Sequence, residues 1–189
     1  MDGSLALLFA LVATAELGFG NCGAETCRSI QPGQGRNAVQ YGEVLFQRER
    51  QRCNRLGQEM TLCVMDLDHF KRINDQHGHD AGDAVLRHVA QHLCCSLRHS
   101  DVVGRFGGEE FVLILPDTGL EQAVAVLNRL REELAETPVP VRGQLLPVSA
   151  TFGVTTVRQD DSDLESIVRR ADRALYEGKG AGRNRVMTA

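Results

Sequence analysis

A glycine turn between two β-prone runs constrains the fold of this chain more than any other feature. Residues 102–106 and 111–115 are rich in β-branched and aromatic side chains, and Gly107, Gly108, Glu109 and Glu110 bridge them. Glycine turns between such runs are typical of β-hairpins. A hairpin makes at least part of the sheet antiparallel. The sequence therefore predicts an α+β fold rather than a doubly wound one.

Helical periodicity surrounds the hairpin. Three core-packed helices are predicted from apolar residues that recur with helical spacing: residues 81–97, 121–136 and 164–177. Ser162 is the predicted N-cap of the last helix, and Gly178 is its predicted end. Residues 61–66 form a short apolar run that ends in an acid, which predicts a buried strand with a carboxylate at its C-terminal end.

Composition excludes several classes of function. The chain has 21 Lys and Arg against 25 Asp and Glu, so it lacks the basic surface that duplex nucleic acid requires. Aromatic residues make up 5% of the chain and Trp is absent, which leaves little material for stacking single-stranded bases. We therefore expect a small ligand and no nucleic acid as partner.

The six cysteines are irregularly spaced and include no CxxC pair. They indicate neither a disulfide framework nor a zinc ribbon, so we expect a reducing, cytoplasmic location. Residues 5–15 are apolar but too few to span a bilayer. We interpret them as an extra packing helix or an appended remnant, with a membrane-anchor remnant as the alternative. Only that alternative would bring membrane contact.

The chain is predicted to divide at residue 36. Residues 18–35 are rich in Gly, Cys and polar side chains without a period, which indicates a linker. We therefore assign no role to residues 1–35 and expect one globular catalytic domain over residues 36–189.

Four carboxylates stand where a sheet can bring them together. Asp66 and Asp68 follow the buried strand, and Glu109 with Glu110 lies at the hairpin bend. Hard oxygen ligands of this kind suit magnesium, which takes one or two carboxylates together with substrate phosphates. The pattern therefore predicts a nucleotide site. Alternation along the strand directs Asp68 away from Asp66, so we expect a structural hydrogen bond or salt bridge there.

Three motifs together resemble the GGDEF family of bacterial diguanylate cyclases. They are RFGGEEF at residues 105–111, DLDHFKRINDQHGHDAGD at residues 66–83 and ALYEGKGAGRNRV at residues 174–186, in the family's order and spacing. The resemblance implies a central, mostly antiparallel five-stranded sheet flanked by helices, as in nucleotidyl cyclases and polymerase palms. It also implies condensation of two GTP into the second messenger cyclic di-GMP, with release of two pyrophosphates.

The resemblance implies a pair of divalent cations, Mg²⁺ or Mn²⁺. The side chains of Asp66 and Glu109 and the carbonyl of Leu67 match the positions that hold them. Carboxylates agree with the oxygen ligands inferred above. Glu110 is a candidate either for metal contact or for accepting the proton of the attacking hydroxyl, and the sequence leaves both roles open.

Contacts with GTP are implied in the same way. Asn74 and Asp83 match the residues that recognise guanine, and an amide with a carboxylate can pair with the guanine edge. Three lysine and arginine side chains match phosphate contacts, where their charge also assists transfer: Lys71, Lys179 and Arg183. The remaining implied contacts are backbone N–H groups of Phe70 and Lys71 and close approach at Gly107 and Gly108.

Assembly and inhibition are also implied. Because each half-site binds one GTP, two protomers of a homodimer must face each other with opposed hairpins. Arg98 and Asp101 match the RxxD pattern of the family's inhibitory product site, where a guanidinium and a carboxylate suit cyclic di-GMP. Arg129 aligns with a secondary contact of that site.

One segment departs from the family pattern. Where members carry DxLTGLxNRR, this chain has IQPGQGRNAVQ at residues 30–40. That segment supports the site, so its loss is expected to lower activity while leaving nucleotide binding intact. The alternative function is therefore a catalytically weak or inactive domain that binds GTP or cyclic di-GMP as a receptor.

Overall fold

The computed structural model describes residues 28–29 and 36–189, over which helices and strands alternate. The helices are α1 (Arg36–Leu56), α2 (Phe70–His77), α3 (His79–Ser96), α4 (Leu120–Glu136) and α5 (Leu164–Gly180). The strands are β1 (Arg28–Ser29), β2 (Met60–Leu67), β3 (Val102–Gly107), β4 (Glu110–Pro116), β5 (Val139–Val141), β6 (Gln144–Leu146), β7 (Ala150–Thr156) and β8 (Val186–Thr188). This order confirms the predicted α+β class and the hairpin.

The main sheet has the strand order β1-β3-β4-β2-β7-β8. β2 pairs antiparallel with both β4 and β7, and β3 pairs antiparallel with β4. β7 and β8 run parallel. The expected five-stranded, mostly antiparallel sheet is thus confirmed, and the two-residue β1 adds a parallel strand beside β3. β5 and β6 form a separate hairpin.

Helices cover both faces of the sheet, and β2 is therefore buried along its whole length. Its odd-numbered residues from Cys63 to Leu67 pack with α3 and α4, whereas Leu62 and Val64 pack with α1 and α5. This follows from the period of two along a strand, which sends successive side chains to opposite faces. The sequence of a strand buried on both faces is typically a continuous apolar run, and residues 61–66 are such a run.

The ends of α5 differ from the prediction. Asp163 is the N-cap, because its extended backbone lets its carboxylate accept from the backbone N–H of Ser166. Ser162 donates its hydroxyl to Asp163 instead, so the prediction of Ser162 was wrong. The helix also continues through Gly180. Gly178 is buried against Thr151 and Met187, so its missing side chain permits close packing rather than ending the helix.

The predictions for residues 1–35, for the cysteines and for a membrane-spanning segment have different outcomes. The apolar run at residues 5–15 and the departing residues 30–35 lie outside the described residues. Arg28–Ser29 pairs with β3, and the interpretation of residues 18–35 as a linker stays a prediction. Cys95 takes part in a disulfide, which the cysteine spacing did not indicate. Within residues 28–29 and 36–189, no helix is long and apolar enough to cross a bilayer.

Candidate active site

Two acidic side chains meet at the end of the central strand pair. The register of β2 and β4 places Asp66 directly opposite Glu110, and residues in that relation project from the same face of the sheet. Glu109 precedes β4, and its carbonyl accepts from the backbone N–H of Leu67 at 3.3 Å. Of the four acids that the sequence singled out, the structure thus places Asp66 and Glu110 directly opposite each other.

Burial makes this pair of carboxylates electrostatically costly. Asp66 is only 7% exposed, and burial raises its pKa, assisted by the charge of Asp68 and opposed by Lys179. Burial also raises the pKa of Glu110, as do the charges of Asp66 and Asp172. Two like charges in a poorly solvated site disfavour ionisation of both. The pair therefore favours binding of a cation.

One cation already contacts Asp66. The Nζ atom of Lys179, near the end of α5, lies 2.8 Å from Asp66 Oδ2. Arg183 follows in the loop after α5, where it adopts a left-handed backbone with φ 63°. Its N–H donates to the carbonyl of Gly178 at 3.0 Å. Of the two predicted phosphate-binding side chains of this segment, Lys179 therefore contacts Asp66, and the charge of Arg183 lowers the pKa of Asp66.

Asp68 holds this loop in place. Its carboxylate accepts from the hydroxyls of Ser149 and Thr151 at 2.8 and 2.7 Å, and from the backbone N–H of Asn184 at 3.0 Å. Asp68 is buried, and a buried carboxylate needs such donors. The expected structural hydrogen bonding of Asp68 is confirmed. Because Asn184 adjoins Arg183, the same bonds fix the position of the Arg183 backbone.

The predicted guanine contacts lie on two helices that pack closely. Phe70, Lys71 and Asn74 are on α2, with Phe70 buried, Lys71 exposed and Asn74 half-buried. Asp83 is exposed on α3, one residue after Gly82. A side chain at Gly82 would overlap Asn74 Oδ1 and would come within 3.0 Å of Phe70. Gly82 therefore sets the position of the Asn74 amide.

Replacement of Gly82 by Ala is expected to displace Asn74 and weaken GTP binding about tenfold, because one lost polar contact of this kind costs roughly 1.4 kcal/mol. Isothermal titration of G82A, N74A and the double variant checks this. If the two residues act as a unit, the double variant binds GTP no more weakly than N74A. GTP affinity of G82A equal to that of the unsubstituted protein would contradict the role of Gly82.

The hairpin turn is fixed by its own arginine. Arg105 donates from Nε and Nη2 to the carbonyl of Gly108 at 2.9 and 2.6 Å. Gly108 has φ 24°, which a side chain would strain. Gly107 is half-buried and pairs with Glu110 across the turn. Sequence reasoning missed Arg105 as a positioning residue, although it precedes Gly108 by three residues, a spacing that allows a side chain to close a turn.

The predicted inhibitory residues lie at the opposite end of β3. Asp101 is buried and accepts from the backbone N–H of Arg98 at 2.9 Å, whereas the Arg98 side chain is exposed. Arg129 on α4 donates to the carbonyl of Ser96 at 2.9 Å. The structure therefore brings Arg129 to the chain segment of Arg98. The strand of six residues separates this group from the hairpin by roughly 20 Å.

A cavity of about 490 Å³ lies beside the site rather than in it. Its lining includes Arg72, Ile73 and Gln76, which project from the face of α2 opposite Asn74 and Lys71. Among the residues predicted to contact GTP, by contrast, Lys71, Asp83 and Arg183 are exposed.

The donor set at Asp66 fits a magnesium site completed by its substrate. Among the described residues, no group of three or more His, Cys, Asp or Glu side chains is gathered to hold a metal by itself. Two opposed carboxylates and nearby backbone carbonyls are nevertheless the partial set that Mg²⁺ uses when phosphates supply other ligands. Burial raises the pKa of Asp66 and of Glu110, and a bound cation would favour the ionised form of both.

Comparison with known proteins gives a family match. The family model described as "Diguanylate cyclase, GGDEF domain" matches residues 40–185. Diguanylate cyclase DgcP of Pseudomonas aeruginosa is 44% identical over 144 residues, which are 76% of this chain and 21% of that protein. The chain spans less than half the length of the curated relatives it matches.

Solved structures give the same relationship. Diguanylate cyclase SiaD of Pseudomonas aeruginosa, solved with its activator SiaC, is 39% identical with a TM-score of 0.74, covering 79% of this chain and 57% of that one. The active GGEEF domain of a Vibrio cholerae diguanylate cyclase is 36% identical with a TM-score of 0.68, covering 75% and 89%. The family match spans more than half of the chain and includes every element that builds the site. The chain therefore belongs to the GGDEF domain family.

Proposed function

We propose that this protein is a diguanylate cyclase that condenses two GTP into cyclic di-GMP and two pyrophosphates. The observation that carries the proposal is the opposition of Asp66 and Glu110 on paired strands, with Lys179 against Asp66. Membership of the GGDEF family supports the same activity. The reaction is assigned to the cytoplasm, with membrane association only if the N-terminal apolar run is an anchor.

Different side chains bind the guanine and the phosphates of GTP. Asn74 and Asp83 read the guanine edge, because an amide and a carboxylate together offer the donor and acceptors that guanine requires. Adenine presents the wrong donors to this pair. Lys71, Lys179 and Arg183 hold the phosphates by charge, and the backbone N–H groups of Phe70 and Lys71 add hydrogen bonds.

Asp66, Glu109 and the Leu67 carbonyl would hold a pair of Mg²⁺ or Mn²⁺ ions. Bound there, the ions would supply charge that lowers the cost of deprotonating the 3′-hydroxyl and stabilises the α-phosphate. Glu110 lies opposite Asp66, a position that suits either metal contact or acceptance of the hydroxyl proton. Arg105 keeps the turn that carries both glutamates in place.

The chemistry requires a homodimer. The 3′-oxygen of each GTP attacks the α-phosphorus of the other, one new P–O bond forms per attack, and the bond to pyrophosphate breaks. Each hydroxyl gives up one proton. Since one protomer presents one half-site, two must face each other for the attacking oxygen to be in line.

Chromatography of nucleotides after incubation with GTP and Mg²⁺ tests the activity over a range of protein concentrations. We expect cyclic di-GMP to rise more than linearly with protein, because dimerisation precedes turnover, and we expect ATP to give no product. Unchanged GTP at every concentration would contradict a cyclase. If isothermal titration then showed binding of GTP or cyclic di-GMP, the receptor function would replace it.

Product inhibition through Arg98, Asp101 and Arg129 gives a further prediction. Replacement of the exposed Arg98 by Ala should raise the cyclic di-GMP concentration for half-inhibition at least about tenfold, because a guanidinium clamp on the product is lost. The initial rate before product accumulates should not change. Arg87→Ala, which removes an exposed arginine on α3, is the matched control. Equal inhibition of R98A and the unsubstituted protein would contradict the assignment.

A further inference from the structure

Lys179 contacts the carboxylate of Asp66, although the proposed function assigns these two side chains to different ligands. Its ammonium lies 2.8 Å from Asp66 Oδ2, and the Asp66 side chain is only 10% exposed. Under the proposed function, Asp66 is a metal ligand and Lys179 is a phosphate contact. A metal ion on this carboxylate would meet the ammonium charge at close range. The ion pair and the metal site therefore compete for Asp66.

Charge balance explains why the ion pair forms. Asp66 and Glu110 oppose each other in a poorly solvated site, and Lys179 lowers the pKa of both. An isolated buried charge is costly unless a counter-charge is present. The lysine thus supplies the positive charge that a metal ion would supply later.

Arg183 differs from Lys179 in how firmly its backbone is held and in the exposure of its side chain. Its backbone is tied to Gly178 and, through Asn184, to Asp68, and its side chain is exposed. Lys179 carries its charge on a flexible four-carbon stem, so its ammonium can move without any change in α5. Of the two, Lys179 is the cation that can exchange partners.

We propose that Lys179 occupies the metal-binding carboxylate of the nucleotide-free domain and passes to the phosphates when GTP binds. This inference rests on the proposed function. The phosphates draw the ammonium away from Asp66 and at the same time bring ligands for the metal. Metal and nucleotide consequently enter together, and the domain resists loading with metal alone.

The test measures metal binding rather than activity. Mn²⁺ is titrated into the full chain and into K179M without nucleotide, with free Mn²⁺ followed by electron paramagnetic resonance. We expect K179M to bind Mn²⁺ about tenfold more tightly, because no cation then has to leave Asp66. A GTP analogue with a methylene bridge between the α- and β-phosphates should raise Mn²⁺ affinity more in the unsubstituted protein than in K179M.

Controls separate the outcomes. Arg173→Met removes an exposed cation of α5 that pairs with Glu177, and it should leave Mn²⁺ affinity unchanged. K179Q serves as a second variant, and thermal unfolding verifies that both fold. Mn²⁺ affinity of both variants equal to or weaker than that of the unsubstituted protein would overturn the exchange alone. Failure of the unsubstituted protein to bind Mn²⁺ even with the analogue would overturn the metal site and the proposed function with it.

Discussion

Replacement of Glu110 by Gln is expected to lower the rate of GTP condensation at least about a hundredfold and, in the same protein, to raise the unfolding midpoint by about 2 °C. The rate falls because a carboxylate opposite Asp66 is lost from the centre of the site. Stability rises because burial and the charges of Asp66, Asp172 and Glu109 all disfavour the ionised Glu110. Nucleotide chromatography and thermal unfolding in metal-free buffer with EDTA measure the two effects.

The stability gain of E110Q should depend on pH with a defined sign. The folded state raises the pKa of Glu110, so it holds that proton more tightly than the unfolded chain. The contribution of Glu110 to folding stability is therefore fully present below the pKa that Glu110 has in the unfolded chain. It declines as pH rises through the pKa that Glu110 has in the folded protein. Gln cannot ionise, so the advantage of E110Q grows with pH and vanishes in acid. The exposed Glu43→Gln is the control. A midpoint for E110Q below that of the unsubstituted protein at neutral pH would contradict this account.

Replacement of Gly153 by Ala is expected to give the largest loss of stability, about 3 kcal/mol, which corresponds to roughly 9 °C in the unfolding midpoint. Gly153 lies in the middle of β7, where α5 crosses it. A methyl group there would overlap the Ala171 carbonyl and the Leu175 backbone N–H. Backbone atoms cannot rotate away, so α5 must shift and would carry Lys179 with it. Differential scanning calorimetry measures the change.

Gly180→Ala is the matched control on α5, since no atom lies near an added methyl group there and its backbone is helical. It should leave the midpoint unchanged or raise it slightly, because Ala favours helix over Gly. An unfolding midpoint of G153A equal to that of G180A would show that α5 does not need the close approach.

The sequence predicted the elements of the fold well where side-chain pattern alone decides them. The hairpin, the buried strand and the three core-packed helices all follow from local periodicity. The cap of α5 was misassigned because Ser162 and Asp163 are both good caps, and only the backbone angles select Asp163. The pairing of Arg28–Ser29 with β3 depends on a contact over some 70 residues that no local pattern records.

In the candidate site, too, the sequence predicted local features but not contacts between distant segments. Motifs indicated Asp66, Glu109 and Glu110, but only the strand register places Glu110 opposite Asp66. The hydrogen-bonding role of Asp68 followed from alternation, whereas its partners Ser149 and Asn184 come from distant segments. Contacts such as that of Lys179 with Asp66 depend on how α5 crosses the sheet, which is a property of packing.

The central position of β2 also bears on how this protein is made. On a ribosome, Asp66 and the apolar strand before it emerge well ahead of both neighbours, and the β7 partner Thr151 follows 85 residues later. At a synthesis rate of about 5–20 residues per second, both hydrogen-bonding edges of β2 stay open for roughly 2–9 s, until the β4 partner Glu110 follows 44 residues after Asp66. The edge that pairs with β7 stays open for roughly 4–17 s. Such an edge is a template for pairing with another chain. Newly made copies of β2 are thus open to pairing with another chain until β4 and β7 have emerged.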